Sequence, residues 1–235
     1  MNLVEPVSRE LGKKVSKNML RLFLKKLQYG YRRIRKRLKG KPDAAQYASK
    51  KEALDKLLRL EKQNFITVFY CDESGFNETP CIPYGWQPKK ESLSVPAQSG
   101  RRCNVFGLMS RANELFTYTG EHSINSAFII ESIDDFVKNK VKQPSVIVLD
   151  NAKVHHSAVF KSKIAGWKDQ QVDVFYLPTY SPHLNLIEAF WRKCKYEWLE
   201  PRHFESWLTI TQQLDNIFKN FGSKFNIKFA DINIV

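Results

Sequence analysis

The chain begins with two stretches in which apolar residues recur at helical spacing, and both predict amphipathic helices. The first covers 16–27, and the second runs from Asp43 to 64. Ser16 and Asp43 stand where helix N-caps are favoured. The apolar face of the second helix would consist of Ala48, Leu54, Leu57, Leu58 and Leu60.

From Phe65 the pattern changes to short runs rich in β-branched and aromatic residues, separated by further helical stretches. The predicted strands cover 65–71, 104–110, 114–120, 145–150 and 172–178. The predicted helices cover 124–141, 156–170, 185–199 and roughly 204–221, and 77–100 predicts a loop. Three strands in succession, followed by alternating helices and strands, favour an α/β fold with a mixed sheet flanked by helices.

The net charge of +14 is concentrated in one segment. Of 38 basic residues, thirteen lie between Lys13 and Lys41, where no acid occurs; the remaining 25 are balanced by 24 acids. An acid-free basic run interleaved with apolar residues is typical of nucleic-acid contact. Such contacts give affinity and salt dependence rather than base recognition. The expected phosphate contacts are Arg32, Arg33, Arg35, Lys36 and Arg37.

Three acids stand at the junctions of successive predicted elements. Asp72 follows the first strand, Asp150 ends the fourth, and Glu188 lies in the first turn of the helix after the fifth. Side chains at such positions can converge at one edge of a sheet, although a single acid there is usually a cap or a solvated turn residue. Carboxylate oxygens suit Mg²⁺ or Mn²⁺, and two such ions can activate a water and stabilise the leaving 3′ oxygen of a phosphodiester.

Neighbours of these acids have weaker predictions. Glu73 should point to the opposite side of the strand from Asp72. His155 could orient Asp150 or touch a phosphate. On the helix after Pro182, the residues at i, i+3, i+4 and i+7 share a face, namely Glu188, Trp191, Arg192 and Lys195. We expect Lys195 to contact DNA near Glu188, with a plain solvated lysine as the alternative, and Trp191 to lie in the core.

The residues around the acids form three blocks. The blocks are Asp72–Phe76 with Gly85 and Trp86, Leu149–Ala152 with His155, and a third that contains Leu177, Pro178, Tyr180, Ser181, Pro182, Leu184, Asn185, Ile187, Glu188 and Trp191. In this order they resemble the blocks of mariner-superfamily transposases, in the bacterial insertion-sequence branch called DDE superfamily endonucleases. The 37 residues between Asp150 and Glu188 agree with this resemblance.

The resemblance implies a catalytic, metal-binding triad of Asp72, Asp150 and Glu188 on an RNase H-like core, with two Mg²⁺ or Mn²⁺ ions. It also implies DNA strand cleavage at element ends and strand transfer into target DNA. The partners would be double-stranded DNA, carrying the terminal inverted repeats or the target, and a second copy of the chain, because two ends must be cut together.

The predicted domains are a partial helix-turn-helix unit at 1–30, a basic linker and connecting helix at 31–63, and a catalytic domain at 64–235. The family pattern has two helix-turn-helix units, and this chain begins inside the second. We therefore expect either an upstream-frame product that completes the DNA-binding region or a truncated relic. No apolar run reaches membrane length and no signal peptide is evident, which predicts a bacterial, cytoplasmic protein that joins the nucleoid when bound to DNA.

Two alternatives remain open from the sequence. One is an RNase H-like nuclease acting on hybrids or junctions, which uses the acids but does not explain the third block. The other is a truncated or domesticated DNA-binding protein without catalysis. The presence of all three acids argues against simple decay of the site.

Overall fold

The structure is a computed structural model that describes residues 4–29, 43–81 and 100–230. The chain divides into two compact units, Met1–Lys39 and Gly40–Val235. The five basic residues predicted to contact phosphates lie outside the described residues, as does Trp86.

The first unit contains two short helices, α1 (Val4–Glu10) and α2 (Lys17–Lys26). Ser16 caps α2 as predicted, since its hydroxyl accepts a hydrogen bond from a first-turn N–H at 3.2 Å. The apolar side of α2 remains exposed: Leu22 and Phe23 keep 55% and 57% of their surface. The described residues of this unit therefore do not bury the amphipathic face that the sequence predicts.

The second unit begins with α3 (Ala44–Lys62), where Leu54 and Leu58 are buried. Leu57 is partly buried against the same core, so the predicted apolar face was wrong only for Ala48, which is exposed, and Leu60, which keeps 40% of its surface. Residues at i and i+4 lie on one stripe of a helix, and only the stripe of Leu54 and Leu58 is buried in the core.

A five-stranded mixed sheet forms the centre of the second unit, as predicted. Its strands are β1 (Thr67–Asn77), β2 (Arg102–Ser110), β3 (Leu115–Gly120), β4 (Ser145–Leu149) and β5 (Val172–Tyr176). The spatial order is β3-β2-β1-β4-β5. The pairs β1–β2 and β2–β3 are antiparallel, whereas β1–β4 and β4–β5 are parallel.

Helices cover both faces of this sheet. The remaining helices are α4 (Ser126–Asn139), α5 (Ala158–Asp169), α6 (Ile187–Lys193) and α7 (Trp207–Lys219). Side chains alternate along a strand, so Phe69 and Cys71 pack with α4 and α5, whereas Val68 and Tyr70 pack with α3, α6 and α7. The three layers confirm the predicted α/β class.

The strand β1 extends further than predicted, and this changes the setting of Asp72. The prediction ended the strand at Cys71, but β1 continues to Asn77 and pairs with β2 over this whole extension. Its parallel neighbour β4 pairs only with Thr67–Tyr70. Asp72 therefore lies inside a strand, in the half of β1 that projects beyond the end of β4.

The helix predicted over 185–199 begins two residues later than predicted, at Ile187, and ends in a π-helical turn. A 3₁₀ turn (Pro182–Leu184) comes first, then α6, then a π-helical turn (Cys194–Trp198). Asn185 separates the first turn from α6 with extended backbone angles, φ −89° and ψ 103°. This break starts α6 close to Glu188, which lies in its first turn as predicted.

Candidate active site

Parallel pairing of β1 and β4 brings Asp72 and Asp150 to adjacent positions. Tyr70, opposite Val148, is the last residue of β1 paired with β4, so Asp72 and Asp150 each follow this last pair by two residues, and the charge of Asp150 is among those that raise the pKa of Asp72. Neighbouring strands are about 4.8 Å apart. The sheet thus brings together the first two acids of the predicted triad.

Glu188 is tied to the same region by the segment that precedes α6. The side-chain amide of Asn185 donates a hydrogen bond to the carbonyl of Cys71 at 2.8 Å. The backbone carbonyl of Asn185 accepts a hydrogen bond from the N–H of Glu188 at 3.2 Å. One residue, 4% exposed, therefore joins the strand position before Asp72 to the first turn of α6.

A glycine on β2 allows α6 to lie directly against the sheet. Gly107 pairs with Asp72 in the antiparallel register. A Cβ atom at Gly107 would lie 2.9 Å from Cζ2 of Trp191 and 3.0 Å from Cδ1 of Ile187, both below ordinary van der Waals contact. Trp191 is 3% exposed, which confirms its predicted core position.

Asp150 is held by two donors on the segment that follows β4. Its Oδ1 accepts a hydrogen bond from the Ala152 N–H at 2.9 Å and pairs with Nδ1 of His155 at 3.0 Å, while the same nitrogen lies 3.4 Å from the backbone carbonyl of Asp150. The other ring nitrogen of His155, Nε2, lies 3.2 Å from Oε1 of Glu73. The buried imidazole therefore bridges two carboxylates.

Glu73 lies on the opposite face of β1 from Asp72, as the alternation of strand side chains predicts. It occupies the face of Cys71, which packs with α4 and α5. Its contact with His155 was not predicted from the sequence, because nothing in the sequence fixes which loop residue approaches that face.

Several carboxylates lie close together in the site, and their charges and burial shift the pKa values of its residues. Burial, followed by the charges of Glu188 and Glu73, raises the pKa of Asp72 to about 8. Burial also acts to raise the pKa of Asp150, but the hydrogen bonds from His155 and the Ala152 N–H, together with the nearby histidine charges, outweigh it and the pKa is lowered. Burial lowers the pKa of His155, yet its carboxylate partners raise it to about 9. Asp72 therefore resists ionisation, a condition that a bound cation would relieve.

The donor set suits a hard divalent cation. Carboxylate oxygens are the preferred ligands of Mg²⁺ and Mn²⁺. The buried Oδ1 of Asn185 has no hydrogen-bond partner among the described residues, which leaves an additional oxygen at this edge. Within the described ranges, no three His, Cys, Asp or Glu side chains form a ready metal cluster. Gathering Asp72, Asp150 and Glu188 around one ion therefore requires side-chain rearrangement.

A groove next to the candidate triad carries basic residues. Glu188, Trp191, Arg192 and Lys195 all line it, which agrees with the common helix face predicted for them. The Nζ atom of Lys195 also lies 5.3 Å from the ring centre of Phe76. The apolar ring thus supports Lys195 at one end of the groove, while its predicted contact with DNA remains a prediction.

A mixed sheet with one acid in a strand, a second directly after the neighbouring strand and a third on a helix packed against the sheet defines an RNase H-like fold with a carboxylate site. The sequence model of the DDE superfamily endonucleases matches residues 67–210, a range that includes Asp72, Asp150 and Glu188. The chain therefore belongs to the DDE superfamily endonucleases.

Solved structures of one transposase share this fold. The Mos1 transposase paired-end complex with left transposon end is 14% identical, with a TM-score of 0.59 over 96% of this chain and 69% of that one. The Mos1 mariner paired end complex with Mn is 15% identical, with a TM-score of 0.56 over 93% and 67%. The catalytic domain of Mos1 mariner transposase is 13% identical, with a TM-score of 0.50 over 78% and 85%. This chain spans about two thirds of the first two chains in length.

A search of curated protein sequences gave no significant match. In the described ranges, none of the helices has both the length and the apolar character required to cross a membrane.

Proposed function

We propose that this protein is the transposase of a bacterial insertion sequence, which cleaves DNA strands at the element ends and transfers them into target DNA. The observation that carries the proposal is the adjacency of Asp72 and Asp150, with Glu188 tied to the same edge by Asn185. Membership of the DDE superfamily endonucleases and the shared fold with Mos1 structures support it.

Asp72, Asp150 and Glu188 are the residues that would hold Mg²⁺ or Mn²⁺, and we propose two ions. When bound, such ions activate a water or hydroxyl and stabilise the leaving 3′ oxygen of a phosphodiester. Asp72, with its raised pKa, would give up its proton if it became a ligand. The Ala152 N–H and His155 meanwhile fix one oxygen of Asp150.

The proposed substrate is double-stranded DNA, both the terminal inverted repeats and the target. The groove with Arg192 and Lys195 lies beside Glu188, and the charge of the segment Lys13–Lys41 supports contact with phosphates. A homodimer on paired ends is the proposed assembly, since two ends must be cut together. An upstream-frame helix-turn-helix product is a proposed further partner, and the bacterial cytoplasm, at the nucleoid when DNA is bound, is the proposed location.

The test is cleavage of a labelled duplex carrying the flanking element end, with Mg²⁺ or Mn²⁺, by the full chain. We expect metal-dependent nicking at the end by the wild type and none by Asp150→Ala. The matched control is Asp173→Ala. Asp173 is an exposed acid on β5, and its carboxylate lies 3.8 Å from the ammonium of Lys168. This variant should cleave the duplex as the wild type does. Cleavage that survives Asp150→Ala, or a wild type that binds the duplex but never cuts it, would contradict the proposal.

A further inference from the structure

His155 is enclosed between two carboxylates on different chain segments. Nδ1 lies 3.0 Å from Oδ1 of Asp150, and Nε2 lies 3.2 Å from Oε1 of Glu73. The His155 side chain is only 1% exposed. A buried ring with an oxygen acceptor at each nitrogen has its orientation fixed from both ends.

The surroundings of His155 also oppose rotation of its ring. Its backbone carbonyl accepts a hydrogen bond from the hydroxyl of Tyr176 on β5 at 2.8 Å. The carbonyl of the preceding residue, Val154, accepts one from Ser126 on α4 at 3.1 Å. The ring packs against Phe160 of α5, with 5.8 Å between ring centres. Three packed elements therefore fix the donor that reaches Asp150.

The two oxygens of Asp150 have different environments. Oδ1 receives the donors from Ala152 and His155, whereas no donor in the described ranges contacts Oδ2. A carboxylate fixed through one oxygen presents the other in a defined direction. Metal-ligating carboxylates are commonly held by such outer hydrogen bonds.

We infer that Glu73 and His155 are positioning residues that hold Asp150 for metal binding, with Glu73 acting through the His155 ring. The inference rests on the proposed function. Glu73 lies next to Asp72 in sequence but on the opposite face of β1, so it reaches the site only through His155. The pair joins β1 to the segment after β4, and it couples the strand position next to Asp72 with the orientation of Asp150.

The test compares Glu73→Ala, His155→Ala and the double variant in two assays, end cleavage at saturating DNA and Mn²⁺ binding to the protein alone by calorimetry. We expect each single variant to lose about 10- to 100-fold in cleavage and in Mn²⁺ affinity, with DNA binding unchanged. Because Glu73 acts through His155, the double variant should be no worse than His155→Ala. Glu73→Gln keeps an acceptor for Nε2 and should recover part of the loss, whereas Glu131→Gln, an exposed residue on α4, should match the wild type.

Losses that multiply in the double variant, or wild-type Mn²⁺ affinity in Glu73→Ala, would overturn the inference while leaving the proposed function intact. A wild type that neither binds Mn²⁺ nor cleaves DNA would overturn both. Thermal melting shows whether His155→Ala folds. If His155→Ala does not fold, the comparison of Glu73→Ala with Glu73→Gln tests the inference instead. Both variants should fold, since the Glu73 side chain is 25% exposed and its truncation leaves no sealed cavity.

Discussion

The side-chain amide of Asn185 donates a hydrogen bond to the backbone carbonyl of Cys71, 2.8 Å away, across 114 residues of sequence. Cys71 precedes Asp72, and the carbonyl of Asn185 accepts the N–H of Glu188. The separation of two candidate ligands is therefore set by one buried amide. The Oδ1 atom of Asn185 is buried and has no hydrogen-bond partner among the described residues. The Asn185 side chain is therefore not placed there merely to satisfy its own polar atoms.

We predict that Asn185→Ala lowers the unfolding free energy by about 1–3 kcal/mol, because the Cys71 carbonyl loses its side-chain donor in a buried site. It should also reduce end cleavage by about 10- to 100-fold, as loss of an outer support to a metal site does. Chemical denaturation and the duplex cleavage assay measure the two effects.

The matched control is Asn104→Ala, which removes another buried amide that donates to a carbonyl, that of His122, at 3.0 Å. It should lose similar stability yet cleave at nearly the wild-type rate. Equal cleavage by both variants would show that the Asn185 bond serves stability alone.

Gly107 provides a second test of the contact between the sheet and α6. Gly107→Ala places a methyl group 2.9 Å from Trp191 and 3.0 Å from Ile187, so α6 must shift. We expect a loss of about 1–3 kcal/mol in unfolding free energy and reduced cleavage, since Glu188 moves with the helix. Gly166→Ala in α5 meets no atom within 4 Å and should stabilise the protein by about 0.5–1 kcal/mol with unchanged cleavage. A Gly107→Ala variant as stable and active as the wild type would refute the close packing.

Local sequence patterns predicted the helices and strands well, because the formation of these elements depends largely on residues that are neighbours in the sequence. Ser16 and Asp43 cap helices as their side chains dictate, and the run Ser145–Leu149 forms the buried strand that leads to Asp150. The end of β1 was missed because its extension past Cys71 is stabilised by pairing with β2, a long-range partner. The helix start was placed at Asn185, two residues before α6, because the extended conformation of Asn185 goes with a long-range hydrogen bond from its side chain to the Cys71 carbonyl.

For the candidate site, the sequence alone indicated the three acids but not the residues that hold their side chains in position. Asp72, Asp150 and Glu188 are marked by their places at predicted junctions. The Glu73–His155 contact spans 82 residues and depends on how the segment after β4 folds back over β1. Such a pairing is a property of the tertiary structure, so spacing along one strand does not contain it.

The metal-free protein should lose stability as pH rises from about 6.5 to 9. Asp72 has a pKa raised from 3.8 to about 8 by burial, so its contribution is complete below pH 3.8 and is lost as pH rises through 8. His155 has a pKa raised from 6.5 to about 9, so its contribution is complete below pH 6.5 and is lost as pH rises through 9. Both therefore lower stability from about pH 6.5 to 8, and His155 alone continues to do so from about pH 8 to 9.

Asp72→Asn should flatten this dependence, because one ionisation that opposes folding is removed; each fully linked proton accounts for about 1.4 kcal/mol per pH unit. Denaturation in chelator at a series of pH values measures the slopes. Added Mg²⁺ should stabilise the wild type more at pH 9 than at pH 6.5. An Asp72→Asn slope as steep as that of the wild type would show that Asp72 does not titrate in this range.

Substitutions of Lys195 test whether the groove beside Glu188 binds DNA. Its ammonium lies over the Phe76 ring and lines the groove with Arg192, so charge reversal changes the local potential while the packed residues stay in place. We predict that Lys195→Glu weakens duplex binding and lowers the salt slope by about one unit, with Lys195→Gln intermediate. Melting should change only slightly, since a cation–π contact that is partly open to solvent contributes about 1 kcal/mol. Lys219→Glu, on α7 beside Asp215, is the control for net charge. If both reversals weaken binding equally, the effect comes from overall charge, and Lys195 makes no specific contact with the DNA.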